Sequence, residues 1–177
     1  MGDGDEDLAR RAGAGDGAAF ARLLDRHYDR LFRLCVRLAG SRAEGEDLCQ
    51  DICAALPAKL RAFRGEARLT TWLWRVAVNA SHDRRRRRAT LTKASDGWGD
   101  WELARQEAIA EERGRVEWLL GAVARLPEDL RDTLALVLDE VSHAEAGAIL
   151  GVSEGTVSWR VSEAKKRLRA MRAEEEA

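Results

Sequence analysis

The sequence predicts an all-α protein, two small helical domains joined by a linker, the second a three- to four-helix domain with a helix-turn-helix. Three observations carry this. Ala, Leu, Arg and Glu dominate the 177 residues, and only 2 prolines interrupt them, a composition that favours helices over strands. Apolar residues recur at three- and four-residue steps, the stripe of a helix facing a core. Near the C-terminus a short and a longer helical pattern flank Gly151-Val152-Ser153, a tight turn. A hydrophobic share of 45% is ordinary for a globular chain and excludes wholesale disorder.

The elements follow in order. Residues 5–38 read as helices broken at Gly13-Ala-Gly-Asp16, with Asp16 as the cap of the second. Its stripe is Phe20, Leu23, Leu24, His27, Leu31, Leu34 and Leu38, and Gly40-Ser41 ends it. A third helix is expected from about Ala43 to Phe63, with Leu48, Ile52, Leu56 and Leu60 at four-residue spacing. Pro57 should bend or break it. A loop centred on Gly65 leads to a helix from Trp72 to about Arg88, capped by Thr70 or Thr71. The first domain is thus placed at 8–90, a linker at 91–106 and the second domain at 107–172. Leu126-Pro127 suits proline in the first turn of a helix carrying Leu130, Leu134, Val137 and Leu138. Ser142 and Glu145 form a capping box for a short helix to Leu150. Ser153 caps a longer helix from Glu154 to about Arg172. Gly147, inside the first helix of this pair, costs about 1 kcal/mol relative to alanine unless it allows close helix crossing.

Charge is distributed in blocks although the net charge is only −1. Residues 59–93 hold 11 basic and 2 acidic side chains, and residues 142–172 hold 6 and 3. The segment between them is acidic. Two basic blocks, each attached to a helical pattern, suit a polyanion such as DNA; a single block would read equally well as solvated helix ends. The second helix of a helix-turn-helix is the one that enters the major groove.

Three sets of residues carry the chemistry. Glu44, Asp47, Gln50 and Asp51 lie on the outer side of a helix whose Leu48, Ile52 and Leu56 point inward, and such a face accepts charge-assisted hydrogen bonds from a partner's arginines. Left alone, it is simply a solvated acidic face. Trp72 and Trp74 stand among Arg64, Arg68 and Arg75, and aromatics beside arginines suit unstacked bases. The two rings cannot share one helix face, so at least one is core. Asn79 can hydrogen-bond a base edge. Arg84–Arg88 reads as a phosphate stripe, or as complement to the helix dipole. On the last helix, Thr156, Ser158, Trp159, Ser162 and Glu163 face the groove, with Arg160, Lys165 and Lys166 near phosphates.

No catalytic residue, metal or cofactor is expected. His27, His82 and His143 are far apart and pair with no nucleophile motif, and no Walker loop or HExxH is present. Cys35, Cys49 and Cys53 read as small buried thiols, with a zinc or redox site the alternative. Their odd number suits reduced thiols in the cytoplasm. No apolar run reaches the ~18 residues of a membrane span. The acidic start, Met1-Gly-Asp-Gly-Asp-Glu-Asp7, lacks the core of a signal peptide.

Gly45-Glu-Asp-Leu-Cys-Gln-Asp51, Phe63-Arg-Gly-Glu66, Thr71-Trp-Leu-Trp-Arg-Val-Ala-Val-Asn79, Leu126-Pro127 and Ile149-Leu-Gly-Val-Ser-Glu-Gly-Thr-Val157 occur in this order and at these separations. Together they resemble the extracytoplasmic-function sigma factors, the compact branch of the sigma-70 family, over residues 8–172. The resemblance implies that the acidic face of Glu44, Asp47, Gln50 and Asp51 binds the clamp coiled coil of core RNA polymerase. It implies that Phe63, Arg64, Gly65, Thr70, Trp72, Arg75, Asn79 and Arg84 melt the −10 promoter element and capture a flipped base. It implies that the helix-turn-helix reads the −35 element, that the linker passes through the polymerase, and that an anti-sigma factor holds the chain inactive. The expected state is a monomer. Two residues depart from the family: Trp159 stands where serine is usual, and Glu163 where arginine is frequent. The family's Glu-Gly-Leu-Ser turn reads Asp139-Glu-Val-Ser142 here. Two rivals remain: a stand-alone helix-turn-helix repressor, and a serine recombinase, for which the N-terminal half offers only Ser41 and Ser81 and no strand pattern.

Overall fold

The structure, a computed structural model, describes residues 4–92 and 115–175. Among them there are eight helices and no strand. They are α1 (Asp5–Gly13), α2 (Gly17–Ala39), α3 (Arg42–Leu60), α4 (Leu69–Thr92), α5 (Arg115–Ala124), α6 (Glu128–Val137), α7 (His143–Leu150) and α8 (Glu154–Glu175). Nearly all of the expected linker, and the start of the second module near Glu107, lie outside the described residues.

Local chemistry explains the boundaries. The Asp16 carboxylate accepts from the Ala18 and Ala19 amides at 3.0 Å each, starting α2. Gly40, at φ 82°, closes α2, and Ser41 accepts from the Glu44 amide to start α3. Pro57 does not break α3. It stands exposed in the last turn, and the helix runs on to Leu60 because Leu56 and Leu60 are both anchored in the core. The lost amide donor is one hydrogen bond, a smaller term than the burial of two leucines. The helix therefore ends three residues before Phe63, in a tight turn from Lys59 to Ala62. At its other end α4 begins at Leu69, so Thr70 and Thr71 lie inside its first turn and do not cap it. Pro127 precedes α6 as its cap residue, one place earlier than expected.

The helix-turn-helix forms as its capping residues dictate. Ser142 and Glu145 exchange both bonds of a capping box, Gly151 takes the left-handed conformation at φ 70°, and Ser153 accepts from the Thr156 amide at 3.1 Å. Gly147 is required by close approach: a Cβ there would stand 2.7 Å from the Val152 carbonyl oxygen.

Helices α5 and α6 pack against α2 and α7 packs against α4, while α8 packs on α5, α6 and α7. One hydrophobic core runs from Leu31, Leu34, Leu73 and Trp74 into Leu136, Ile149, Val157 and Val161. A second, smaller cluster joins Val123, Leu126, Leu130 and Leu134 to Ala164. Leu138, expected in the stripe of α6, is the residue that closes the helix and is half exposed.

Candidate nucleic-acid interface

Helix α3 buries Leu48, Cys49, Ile52 and Leu56 and leaves Asp47, Gln50 and Asp51 exposed, with Glu44 half-buried. The four candidate docking residues therefore share one outer face. Three of them are engaged by α4. Arg84 donates to Asp47 at 3.0 Å and to Asp51 at 3.1 Å, and Arg88 pairs with Glu44.

The five consecutive arginines of α4 point three ways, since successive helix residues turn by about 100°. Arg84 and Arg88 go to α3. Arg85 goes to α6, where it meets Asp132 and Glu128. Arg86 and Arg87 face solvent, Arg86 beside Asp83. Of the candidate −10 residues Arg84 is thus turned toward the acidic face, while Arg86 and Arg87 continue the exposed face that runs through Arg75, Asn79 and Asp83. The residue run could not separate these roles; helical phase counted from Asn79 does.

At the start of that face lies a shallow pocket lined by Ala62, Phe63, Arg64, Glu66, Ala67, Trp72 and Arg75. The Phe63 and Trp72 rings are tilted at 58° with centroids 5.3 Å apart. Trp74 faces the other way: it is 2% exposed, and the Arg30 guanidinium lies 5.4 Å from its ring centroid. One tryptophan is core and one lines the pocket. Gly65, at φ 73°, turns the loop between Arg64 and Glu66, and Thr70 is half-buried in the first turn of α4. Two arginines, a carboxylate and two rings around one concavity can hold a base by stacking and by its polar edge.

Arg75 also donates to the Ala148 carbonyl of α7 at 3.3 Å. Further along the seam, Asp132 is 2% and Asp139 5% exposed. Asp132 takes Arg85 at 2.8 and 3.1 Å and His82 at 2.6 Å. Asp139 takes Arg30 at 3.2 Å and Arg37 at 3.3 Å. Neither carboxylate was singled out from the sequence. Their partners lie in another part of the chain, so no local spacing marks them. Glu140, next to Asp139, has φ 62°. Such strain in a non-glycine residue is tolerated where packing on both sides fixes the backbone.

On α8 the buried residues are Val157, Val161 and Ala164. The outward face carries Ser158, Trp159, Ser162, Lys165 and Lys166. Three other candidates are turned inward or occupied. Thr156 Oγ1 lies 2.9 Å from Ser153 Oγ, Arg160 pairs with Asp129 of α6 at 3.4 Å, and Glu163 accepts from Arg167 at 2.9 Å.

The cysteines meet between α2 and α3. Cys35 and Cys49 are buried and Cys53 half-buried, all three free. The Cys35 thiol and burial push the Cys49 thiol up to about 12, and Cys49 and burial raise Cys53. No group of three metal-ligating side chains is found among the described residues. No helix there is long and apolar enough to cross a membrane.

Both halves of the chain match a known family. Residues 23–90 match sigma-70 region 2, and residues 116–168 match sigma-70 region 4. The ECF RNA polymerase sigma factor SigM of Mycobacterium tuberculosis (strain ATCC 25618 / H37Rv) is 32% identical, over 93% of this chain and 82% of its own. SigW of Bacillus subtilis (strain 168) is 28% identical, over 88% and 89%. Among solved structures, CnrH in complex with the cytosolic domain of CnrY superposes with a TM-score of 0.66 at 26% identity, covering 96% of this chain and 97% of that one. The sigma factor RpoE of Bartonella quintana has the same fold, with a TM-score of 0.69 at 24% identity. The chain belongs to the sigma-70 family, in its ECF branch.

Proposed function

We propose that the protein is an alternative sigma factor, the subunit that gives core RNA polymerase its promoter. It docks through Glu44, Asp47, Gln50 and Asp51 of α3. It melts the −10 element at the pocket of Phe63, Arg64, Gly65 and Trp72, near Thr70, with Arg75, Asn79, Arg86 and Arg87 along the strand and Arg84 joining them when it is released from Asp47 and Asp51. It reads the −35 element with α8. Chemistry belongs to the polymerase, and the protein itself acts as a transcription regulator and not as an enzyme. The carrying observation is that one helix pair, α3 and α4, presents an acidic face and an aromatic-arginine pocket beside a complete helix-turn-helix. A repressor has no use for the first two.

CnrH is found in complex with the cytosolic domain of CnrY; a protein that covers the faces described here would keep this chain silent, and an anti-sigma factor is the partner we infer. The site of action is the cytoplasm.

The test is run-off transcription with purified core polymerase on a genomic promoter library, comparing wild type with Asp47→Ala/Asp51→Ala. Alanine is preferred to arginine because a new cation would face Arg84. Initiation at a discrete promoter set, lost in the variant, is the expected result. If polymerase stays inactive while the protein alone retards specific DNA, the repressor reading replaces this one.

A further inference from the structure

The outward face of α8 carries few side chains that can read a base. Ser158 Oγ is 2.9 Å from His143 Nδ1, and Thr156 Oγ1 is 2.9 Å from Ser153 Oγ. Arg160 is turned to Asp129, and Glu163 to Arg167. Four of the eight candidate side chains are therefore engaged within the protein. Lys165 and Lys166 lie about two turns beyond Trp159, where cations meet phosphates and carry no sequence information. Beside the turn this leaves Trp159 and Ser162. Trp159 is 60% exposed, an indole standing in water on the face that a helix-turn-helix offers to DNA. Its neighbours at three- and four-residue steps are Gly155 and Ser162, short and exposed, and Thr156 and Glu163, half-buried and held by Ser153 and Arg167. The ring is the largest exposed group on that part of the face.

We propose that Trp159 selects thymine in the −35 element by packing its ring against the thymine 5-methyl group. This rests on the reading of α8 as the −35 helix. Thymine alone carries a methyl group on its major-groove edge; cytosine has only a hydrogen at that carbon, beside a donor amino group. An indole has an apolar face and one N–H donor. It buries a methyl group favourably and leaves the amino group of a cytosine, itself a donor, without a partner. Arginine or lysine at this position would instead favour guanine.

The experiment uses holoenzyme reconstituted with core polymerase and a promoter it selects from a random library. Each thymine of the −35 element is replaced singly by deoxyuridine, which removes only the methyl group. At one or more of these positions wild-type affinity should fall roughly fourfold, the effect of one buried methyl group. Trp159→Ala should bind thymine and uracil promoters equally, and Trp159→Phe, still an apolar ring, should keep the difference. The inference is overturned by equal affinity at every position, or by a selected element without thymine, or by a uracil effect undiminished in Trp159→Ala. In each of these cases α8 still reads the −35 element if scrambling that element abolishes binding. If scrambling has no effect, the reading of α8 fails and the inference with it.

Discussion

Arg85 and Asp132 meet in a two-toothed contact across the seam between α4 and α6, with Nη2 2.8 Å from Oδ2 and Nη1 3.1 Å from Oδ1. Both side chains are largely out of water, at 17% and 3% exposure. Removing one partner of such a pair leaves the other charge desolvated, which costs more than the pair itself contributes. Asp132→Ala is therefore expected to lower unfolding free energy by about 3 kcal/mol in urea titrations. It should also separate the two helical groups, seen as a larger radius in small-angle scattering. An unchanged midpoint and radius would show that the seam is held by its apolar contacts alone.

Glu140 occupies left-handed backbone, which a residue with a Cβ enters at a cost of roughly 1–2 kcal/mol. Glycine enters it freely but has more freedom to lose from the unfolded chain. Glu140→Gly should stabilise the protein by about 1 kcal/mol, read as a higher thermal midpoint. Glu140→Val should do the opposite, since a β-branched residue suits this region least.

Native thiols should be inert. Cys49 is raised to about 12 by its contact with Cys35 and by burial, so almost no thiolate exists at neutral pH. At pH 8 the native protein should react with a chromogenic disulfide far more slowly than free cysteine does. All three thiols should react once guanidinium unfolds the chain. A fast-reacting native thiol would contradict the packing between α2 and α3.

The pH dependence has a definite sign at Asp16. The Ala19 amide and the Arg11 guanidinium, with the Ala18 amide, hold its carboxyl below the ordinary value of 3.8. A depressed carboxylate contributes stability above its unfolded pKa and loses it as pH falls through the folded one. Asp16→Asn keeps the cap oxygen but loses the charge. It should be less stable than wild type at pH 6, and the gap should close as pH drops below about 4. A gap that persists at pH 2 would assign the effect to hydrogen bonding without charge.

Arg84 and Arg87 should behave differently on DNA although both belong to one run. Arg87→Ala removes an exposed cation from the Asn79 face and should reduce the salt slope of promoter binding by about 1. Arg84→Ala removes a cation already committed to Asp47 and Asp51 and should change the slope less. Equal slopes would mean that the arginines rearrange when DNA binds.

The parts that were legible in the sequence are those written locally. Asp16, the Ser142–Glu145 box, Gly151 and Ser153 act within four residues of themselves, and each does what its spacing indicates. The acidic face of α3 was legible because Leu48, Ile52 and Leu56 fix the phase of the helix. What escaped was non-local or turned on competition between terms. Pro57 reads as a bend or a break because the cost of a missing amide is visible in sequence, while the anchoring of Leu56 and Leu60 is not. Asp132 and Asp139 carry no local mark, because their partners lie 47 and more than 100 residues away. Arg160 was placed near phosphates because its residue type suits them, but its position on α8 turns it to Asp129.

The ion pairs between α4 and α3 set two surfaces in opposition. Glu44, Asp47 and Asp51 are compensated by Arg84 and Arg88, so any cationic surface that takes over these acids releases two arginines. By reciprocity, whatever draws Arg84 and Arg88 away leaves the acids more strongly attracting to cations. Exposed pairs of this kind are individually weak, so the exchange needs little free energy. The two faces then act as a charge balance with the fulcrum between the helices: loading one side with positive charge raises the positive field on the other.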